Sequence, residues 1–263
     1  MTSSAEHLPD CFAPTNEPVF SAADLLAYKR ERGILPNITP PRAVIFTFQK
    51  SLIDYVTRHH PTKKVGGFYG ELFLFKRTEG RVALAGNFGI GAPVTAALAD
   101  ELAAFGVRQF AVIGLAGGLG QNLKPGDLVI GERALRGEGT SAHYLPPGPW
   151  AEADAKMVQG WSRALTRRGQ AYTLGATWTT DAPFRELRQT VLEHQRNGIH
   201  TVEMEAAALL AVAKSYNLPA AAAFSIADTL IDGRWRLSND PRPAQKGLEA
   251  LFESLLDYLT SER

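Results

Sequence analysis

The residues best able to do chemistry in this chain fall in two short runs. In the first, Thr201-Val202-Glu203-Met204-Glu205 passes directly into Ala206-Ala207-Ala208-Leu209. A strand ending in two acids, followed at once by a small-residue helix, sets both carboxylates at a positive helix end. Such acids can complement the helix dipole, or they can hold a hydroxyl-rich or cationic ligand, and the residues alone leave both readings open. In the second run, Asp228 follows the apolar stretch Phe224-Ser225-Ile226-Ala227. An acid just past a buried strand can act as a general acid or can close an Asx turn. Arg234 and Arg236 come shortly after it. Upstream, Gly89-Ile90-Gly91 precedes Ala92-Pro93, a turn able to bring backbone N–H groups and a helix N-terminus to an anion. A Gly-x-Gly turn is weak evidence by itself, because many tight turns need glycine.

These residues need a frame. Ser21, with Asp24 three residues on, is expected to cap a short helix that Gly33 and Pro36 end. Strands are expected at residues 43–48, 72–76, 81–86, 109–115, 127–132, 172–180, 201–203 and 220–225. Helices are expected at 51–59, 95–105, 153–168, 185–197, 205–216 and 245–259, with a glycine-rich turn at 116–120. Short apolar strands between amphipathic helices imply a largely parallel or mixed sheet covered on both faces, which binds ligands at the carboxyl ends of its strands. The expectation is a polar, loosely ordered stretch at residues 1–18 within an extension of residues 1–40, followed by one α/β domain over 41–263.

Composition narrows the function. A net charge of +1, with scattered basic residues, argues against a nucleic-acid partner. The single cysteine, Cys11, allows no internal disulfide, and the six histidines lack zinc-like spacing. No apolar run approaches the roughly 20 residues of a bilayer span, and the first nine residues hold no apolar signal core, so a soluble cytoplasmic chain is expected. Residues 114–120 do not spell Gly-x-Gly-x-x-Gly, which disfavours a dinucleotide-binding dehydrogenase.

Val202-Glu203-Met204-Glu205-Ala206-Ala207-Ala208-Leu209 resembles the signature of the nucleoside phosphorylase family, which contains uridine phosphorylases, hexameric purine nucleoside phosphorylases and methylthioadenosine nucleosidases. Three other segments agree in order: residues 88–93, 138–144 and 179–186. The likeness runs from about residue 43 to residue 259 and implies a central, mixed, partly barrel-like sheet flanked by helices. It further implies that Met204 packs on a ribose whose hydroxyls donate to Glu205, with Glu203 alongside, and that Thr180 and Phe184 help form the wall of the base. Asp228 becomes the general acid that protonates a purine at N7, a step worth on the order of 10²–10⁴ in rate, and burial is expected to raise its pKa. Arg234 would assist it, with Arg236 as the alternative. No pyrimidine-reading insertion lies between Phe184 and Asn197, which favours a purine-type base.

The anion site departs from the family pattern. The Gly-Asp-Pro-x-Arg turn is replaced by Phe46-Thr47-Phe48-Gln49-Lys50, and Val112 and Leu115 flank Gly114 where an arginine and a hydroxyl are usual. Gly91, Lys50 and Lys63 (the last from a neighbouring subunit) are the candidates left to hold phosphate. Losing two charge-assisted contacts weakens phosphate binding by roughly a hundredfold. The leading expectation is phosphorolysis to base and ribose 1-phosphate, with phosphate as co-substrate and no cofactor or metal. Hydrolysis is the close alternative, and a non-catalytic nucleoside-binding protein a further one. The nucleosidases place an acid where this chain has Gln49. The resemblance also implies a homodimer or homohexamer.

Overall fold

The computed structural model describes residues 18–261; Cys11 and most of the stretch expected to be loosely ordered lie outside them. In chain order come α1 (Ala22–Glu31), β1 (Ala43–Thr47), α2 (Lys50–His59), β2 (Thr62–Phe68), β3 (Gly70–Phe75) and β4 (Val82–Gly86). There follow α3 (Ala92–Phe105), β5 (Gln109–Gly118), β6 (Leu128–Gly137), β7 (Trp150–Glu152), α4 (Ala155–Arg167) and β8 (Thr173–Thr180). The last are α5 (Arg188–Arg196), β9 (Ile199–Glu203), α6 (Ala206–Ser215), β10 (Ala220–Thr229), β11 (Arg236–Leu237) and α7 (Arg242–Ser261).

Alternation of apolar side chains builds a sheet buried on both faces. Val44, Phe46, Phe110, Val112, Ala222 and Phe224 point to one core with α3 and α6. Their neighbours Ile45, Ala111, Ile113, Ala221 and Ala223 point to a second core with α2, α4 and α7. A double-faced core of this kind selects near-continuous apolar strands and parallel pairing. β5 runs parallel to β10 and antiparallel to β9. β10 pairs antiparallel with β6, β6 parallel with β8, and β8 parallel with β9. The ring β5-β10-β6-β8-β9 therefore closes on itself, and β1, β4, β3 and β2 extend it outward from β5. This is the expected single α/β domain with a mixed, partly barrel-like sheet between helices.

Three short or edge strands were not anticipated. β2 carries Lys63, Lys64, Gly66 and Gly67, which break any alternation, and it forms only as the edge partner of β3. β7 and β11 are defined by their pairing with β6 and β10 rather than by their own residues.

Three strands run on past their expected ends, β6 reaching Gly137 through its pairing with β7 and β8. β5 continues through Gly117 and Gly118, where a turn was expected, because both pair with β9 and β10. β10 extends to Thr229 after a bulge between Ile226 and Asp228, so Asp228 lies within the strand rather than beyond it. The two glycines leave room for this: a Cβ on Gly117 would come within 2.8 Å of Leu230 and 3.3 Å of Asp228 Oδ1. The bulge re-aims the strand at its rim, a common device beside a binding site.

α1 begins with the expected capping box, Ser21 and Asp24 bonding reciprocally. It is fastened to the domain by charge. Lys29 pairs with the buried Glu101 of α3 and donates to the Gly67 carbonyl at 2.7 Å. Glu101 Oε2 accepts the Tyr69 N–H at 3.1 Å, so one carboxylate joins α1, α3 and the β2–β3 hairpin. Removing the lysine strands a charge inside the protein. In urea titrations Lys29→Met should lose about 3 kcal/mol of stability, and adding Glu101→Gln should recover more than half of it. Equal midpoints for Lys29→Met and the unmodified chain would mean that the pair does not hold α1 in place.

Candidate active site

The carboxyl ends of β5, β9 and β10 open into one cavity of about 610 Å³, lined by Glu203, Met204, Glu205, Gly117 and Asp228 among others. The two chemistry-bearing runs of the sequence thus meet, although Glu205 and Asp228 stand 23 residues apart. A larger groove of about 930 Å³ lies at the opposite ends of β5 and β10, beside Arg108, Lys156 and Lys214, and holds none of the motif residues.

At one wall the acids divide their work. α6 is buried along Ala206–Ala213 and needs partners for its first N–H groups. Glu203 Oε2 accepts the N–H groups of Glu205 and Ala206, each at 2.7 Å. Its Oε1 accepts the hydroxyls of Thr179 at 2.5 Å and Thr177 at 3.3 Å. Thr179 also takes the Ala207 N–H at 3.0 Å. With four protein donors on it, Glu203 sets the helix end and leaves ligand contact to its neighbour. Burial pushes the Glu203 carboxyl up from its ordinary range, and those hydrogen bonds oppose the shift.

Glu205 faces the cavity. Its Oε1 accepts the Gly91 N–H at 2.6 Å and its Oε2 accepts the Met204 N–H at 3.2 Å. Gly91 has φ +100°, open to glycine but rarely to other residues, and the Met204 methyl lies 4.0 Å from where its Cβ would stand. Burial, and then the charge of Glu203, push Glu205 up to about 8. Ribose hydroxyls donating to Glu205, or positive charge growing beside it, would favour its ionised form.

The same cavity is lined by a second set of polar groups. Asp228 is partly exposed, and its Oδ2 accepts the indole N–H of Trp235. Half-buried Glu186 lines the same wall, and burial followed by the charge of Asp228 pushes it up to about 7. Phe184 stands almost fully exposed at the mouth, at 97%. Arg188 is the one cation among the described residues lining the cavity.

The remaining candidates lie elsewhere. Thr180 is buried, its hydroxyl accepts the Ala182 N–H at 3.2 Å, and it does not line the cavity. Lys50 is exposed and paired with Asp54 on the outer face of α2, because a first-turn lysine there projects to solvent. Lys63 is an exposed residue of the edge strand β2, away from this chain's own cavity. Arg234 and Arg236 are also outside the lining, and the intervening Trp235 takes the place beside Asp228. Sequence reasoning missed Trp235, and it missed Glu186, two residues past Phe184 in a segment already singled out. It missed Gly117 as well. The only signal for any of them was proximity to those motifs.

Met204, Glu205 and Asp228 thus line one cavity at the carboxyl ends of strands in the closed ring. Residues 43–260 match the Phosphorylase superfamily, and the chain belongs to it. A uridine phosphorylase of Thermococcus kodakarensis is 32% identical over 145 residues, 50% of this chain and 52% of that protein. A guanosine phosphorylase of Halorubrum lacusprofundi is 27% identical over 181 residues, 66% of this chain and 73% of its own. The matched stretch thus spans about half the length of the first of these. Among solved structures, uridine phosphorylase from Vibrio fischeri superposes with a TM-score of 0.73 at 20% identity, over 86% of this chain and 94% of that one. An AMP nucleosidase from Bacteroides thetaiotaomicron gives 0.71 at 21% identity, over 91% and 100%. These structures share the fold. No helix of the described residues is long and apolar enough to cross a membrane.

Glu205 makes stability depend on pH. Its carboxyl is higher in the folded chain than the ordinary 4.5, so folding favours the protonated form. That contribution is complete below about pH 4.5 and is lost as pH rises through about 8. Glu205→Gln, which cannot ionise, should melt within about 2 °C of the unmodified chain at pH 5 and about 5 °C or more above it at pH 8.5. A melting difference that does not grow with pH would contradict the buried, proton-holding Glu205.

Proposed function

We propose that this chain cleaves the N-glycosidic bond of a purine-type nucleoside, with water as the acceptor. The observation that carries the reading is the meeting of Glu205 and Asp228 in the lining of one cavity of about 610 Å³. That volume lies within the range of small-molecule sites. Glu205 would hold the ribose hydroxyls with Met204 against the sugar, and its negative charge would support an oxocarbenium-like transition state. Asp228 would protonate the base at N7, so that it leaves neutral, with Phe184 covering its face.

Water is favoured by the lining of the sugar end. Phe48, Gln49, Ile90 and Leu115 stand there, and the Gly91 N–H is already given to Glu205. Arg188, the cavity's cation, rests its side chain against Gly233. An anion placed at the sugar end would meet one carboxamide and apolar carbon, where bidentate guanidinium contacts would be needed to hold phosphate well. Gln49, 3.4 Å from the Thr47 hydroxyl, is the polar group there able to orient a water.

Phosphorolysis is the second reading, favoured by the named activities of the relatives and by exposed Lys63, which could reach the cavity of a neighbouring copy. A homodimer or homohexamer belongs to this proposal too. Exposed Ile90, Phe184 and Trp235 at the cavity mouth would suit a covering subunit.

The chain incubated with inosine should release hypoxanthine and free ribose at the same rate with and without 10-millimolar-scale phosphate, roughly saturating for ordinary enzymes. Ribose 1-phosphate as the product, with release dependent on phosphate, would overturn hydrolysis and leave bond cleavage standing.

A further inference from the structure

The two ends of the barrel-like sheet carry opposite charge. The cavity that holds Glu205 and Asp228 is lined by four carboxyls and a single arginine. The groove of about 930 Å³ at the other ends of β5 and β10 is lined by five basic residues against two acids. A chain of net charge +1 thus gathers positive charge in one concave place. We infer that this groove is a second ligand site, independent of glycosidic cleavage, for a small molecule carrying two or more phosphate groups.

The backbone brings the cations together from separate elements. Arg108 directly precedes β5, and its N–H donates to the carbonyl of Arg42, directly before β1, at 3.0 Å. The Phe110 N–H donates to the Pro219 carbonyl at 3.1 Å, and the Asp154 N–H to the Ala220 carbonyl at 2.8 Å. These bonds set the start of α4 and the stretch after α6 beside the start of β5. Lys156 stands in the first turn of α4 and Lys214 in the last turn of α6. Arg108, Lys156 and Lys214 are exposed, and among the described residues none of their side chains makes an ion pair or hydrogen bond.

The two acids of the lining are occupied. Asp154 Oδ1 accepts the Met157 N–H at 2.9 Å and caps α4. Glu152 lies directly across the β6–β7 pairing from Arg133, which puts a cation on its own face of the sheet. Arg136 builds the wall. Its guanidinium donates to Ser141 Oγ at 2.8 Å and to the carbonyls of Pro146 and Gly148 at 2.7 and 3.0 Å. Those acceptors are neutral, so the loop is held while the positive charge stays uncancelled.

Gln109 supplies a separate pointer to a ligand. It is only 5% exposed, yet it lines the groove, and no described residue bonds to its carboxamide. A buried amide left without a partner is costly, and a ligand oxygen would accept from it. Cations on three elements suit an anion with several charged oxygens, because a lone carboxylate would meet one or two of them. Leu145, Trp150 and Leu218 offer apolar surface to the rest of the molecule, and the volume is that of a small-molecule site.

The test is calorimetric titration of the full chain with pyrophosphate in metal-free buffer. One pyrophosphate should bind per chain, with Kd at least about tenfold below that of orthophosphate. Arg108→Gln combined with Lys214→Gln should weaken it about tenfold or more, and Gln109→Leu, which leaves the charge unchanged, about threefold. Lys76→Gln combined with Arg77→Gln removes the same charge from outside the groove and should leave Kd within about twofold. ADP binding more tightly than pyrophosphate would assign the site to an organic diphosphate, and the reverse order to the inorganic ion. Absence of saturable binding, equal weakening by the two double variants, or a Kd unmoved by Gln109→Leu would overturn the site. None of these results bears on cleavage of inosine.

Discussion

The site depends on how the buried N-terminus of α6 is satisfied. Its first N–H groups have no access to water, and Glu203 supplies the acceptors, itself locked by Thr177 and Thr179 of β8. One carboxylate thereby joins β8, β9 and α6, three elements of the cavity wall. A buried charge is tolerable only with this density of donors. The arrangement has an electrostatic consequence two residues on. Glu205 sits in the field of Glu203 with only two backbone donors of its own, so it holds a proton that a ribose would be well placed to displace. The element that makes the helix end stable is also what poises the ligand-facing acid.

The cavity mixes two kinds of lining. Apolar side chains and Gln49 share it with four carboxyls, Glu186, Glu203, Glu205 and Asp228, and with the Trp235 indole and Arg188. Crowding acids in one partly buried space raises the cost of ionising each, as the displaced Glu205 and Glu186 carboxyls show.

Much of the frame was legible in the sequence because local and global preferences agreed. Residues 43–46 of β1, 110–113 of β5 and 220–224 of β10 are apolar without interruption, which suits strands buried on both faces, and Ser21 with Asp24 announces a helix start in four residues. The Glu203-Met204-Glu205 run was legible for a different reason: strand end, helix start and paired acids coincide there. What escaped reading was set by pairing rather than by residue type. Gly117 and Gly118 look like a turn, yet they are strand residues whose lack of side chains admits Leu230, Val202 and Asp228. Lys50 looked like the remnant of an anion site, yet α2 points it outward, while Lys63, expected to serve a neighbouring subunit, lies exposed on β2. Glu186 and Trp235 enter the site through a short turn and a two-residue strand that no periodicity signals.

The central claim is that a nucleoside lies between Glu205 and Asp228. A crystal structure of the chain with inosine bound tests it directly. The account predicts ribose hydroxyls within about 3.2 Å of Glu205 and the base between Phe184 and Asp228 with N7 toward the Asp228 carboxyl. A nucleoside found in the groove beside Arg108 and Lys156, or bound in the cavity with its sugar turned away from Glu205, would contradict it.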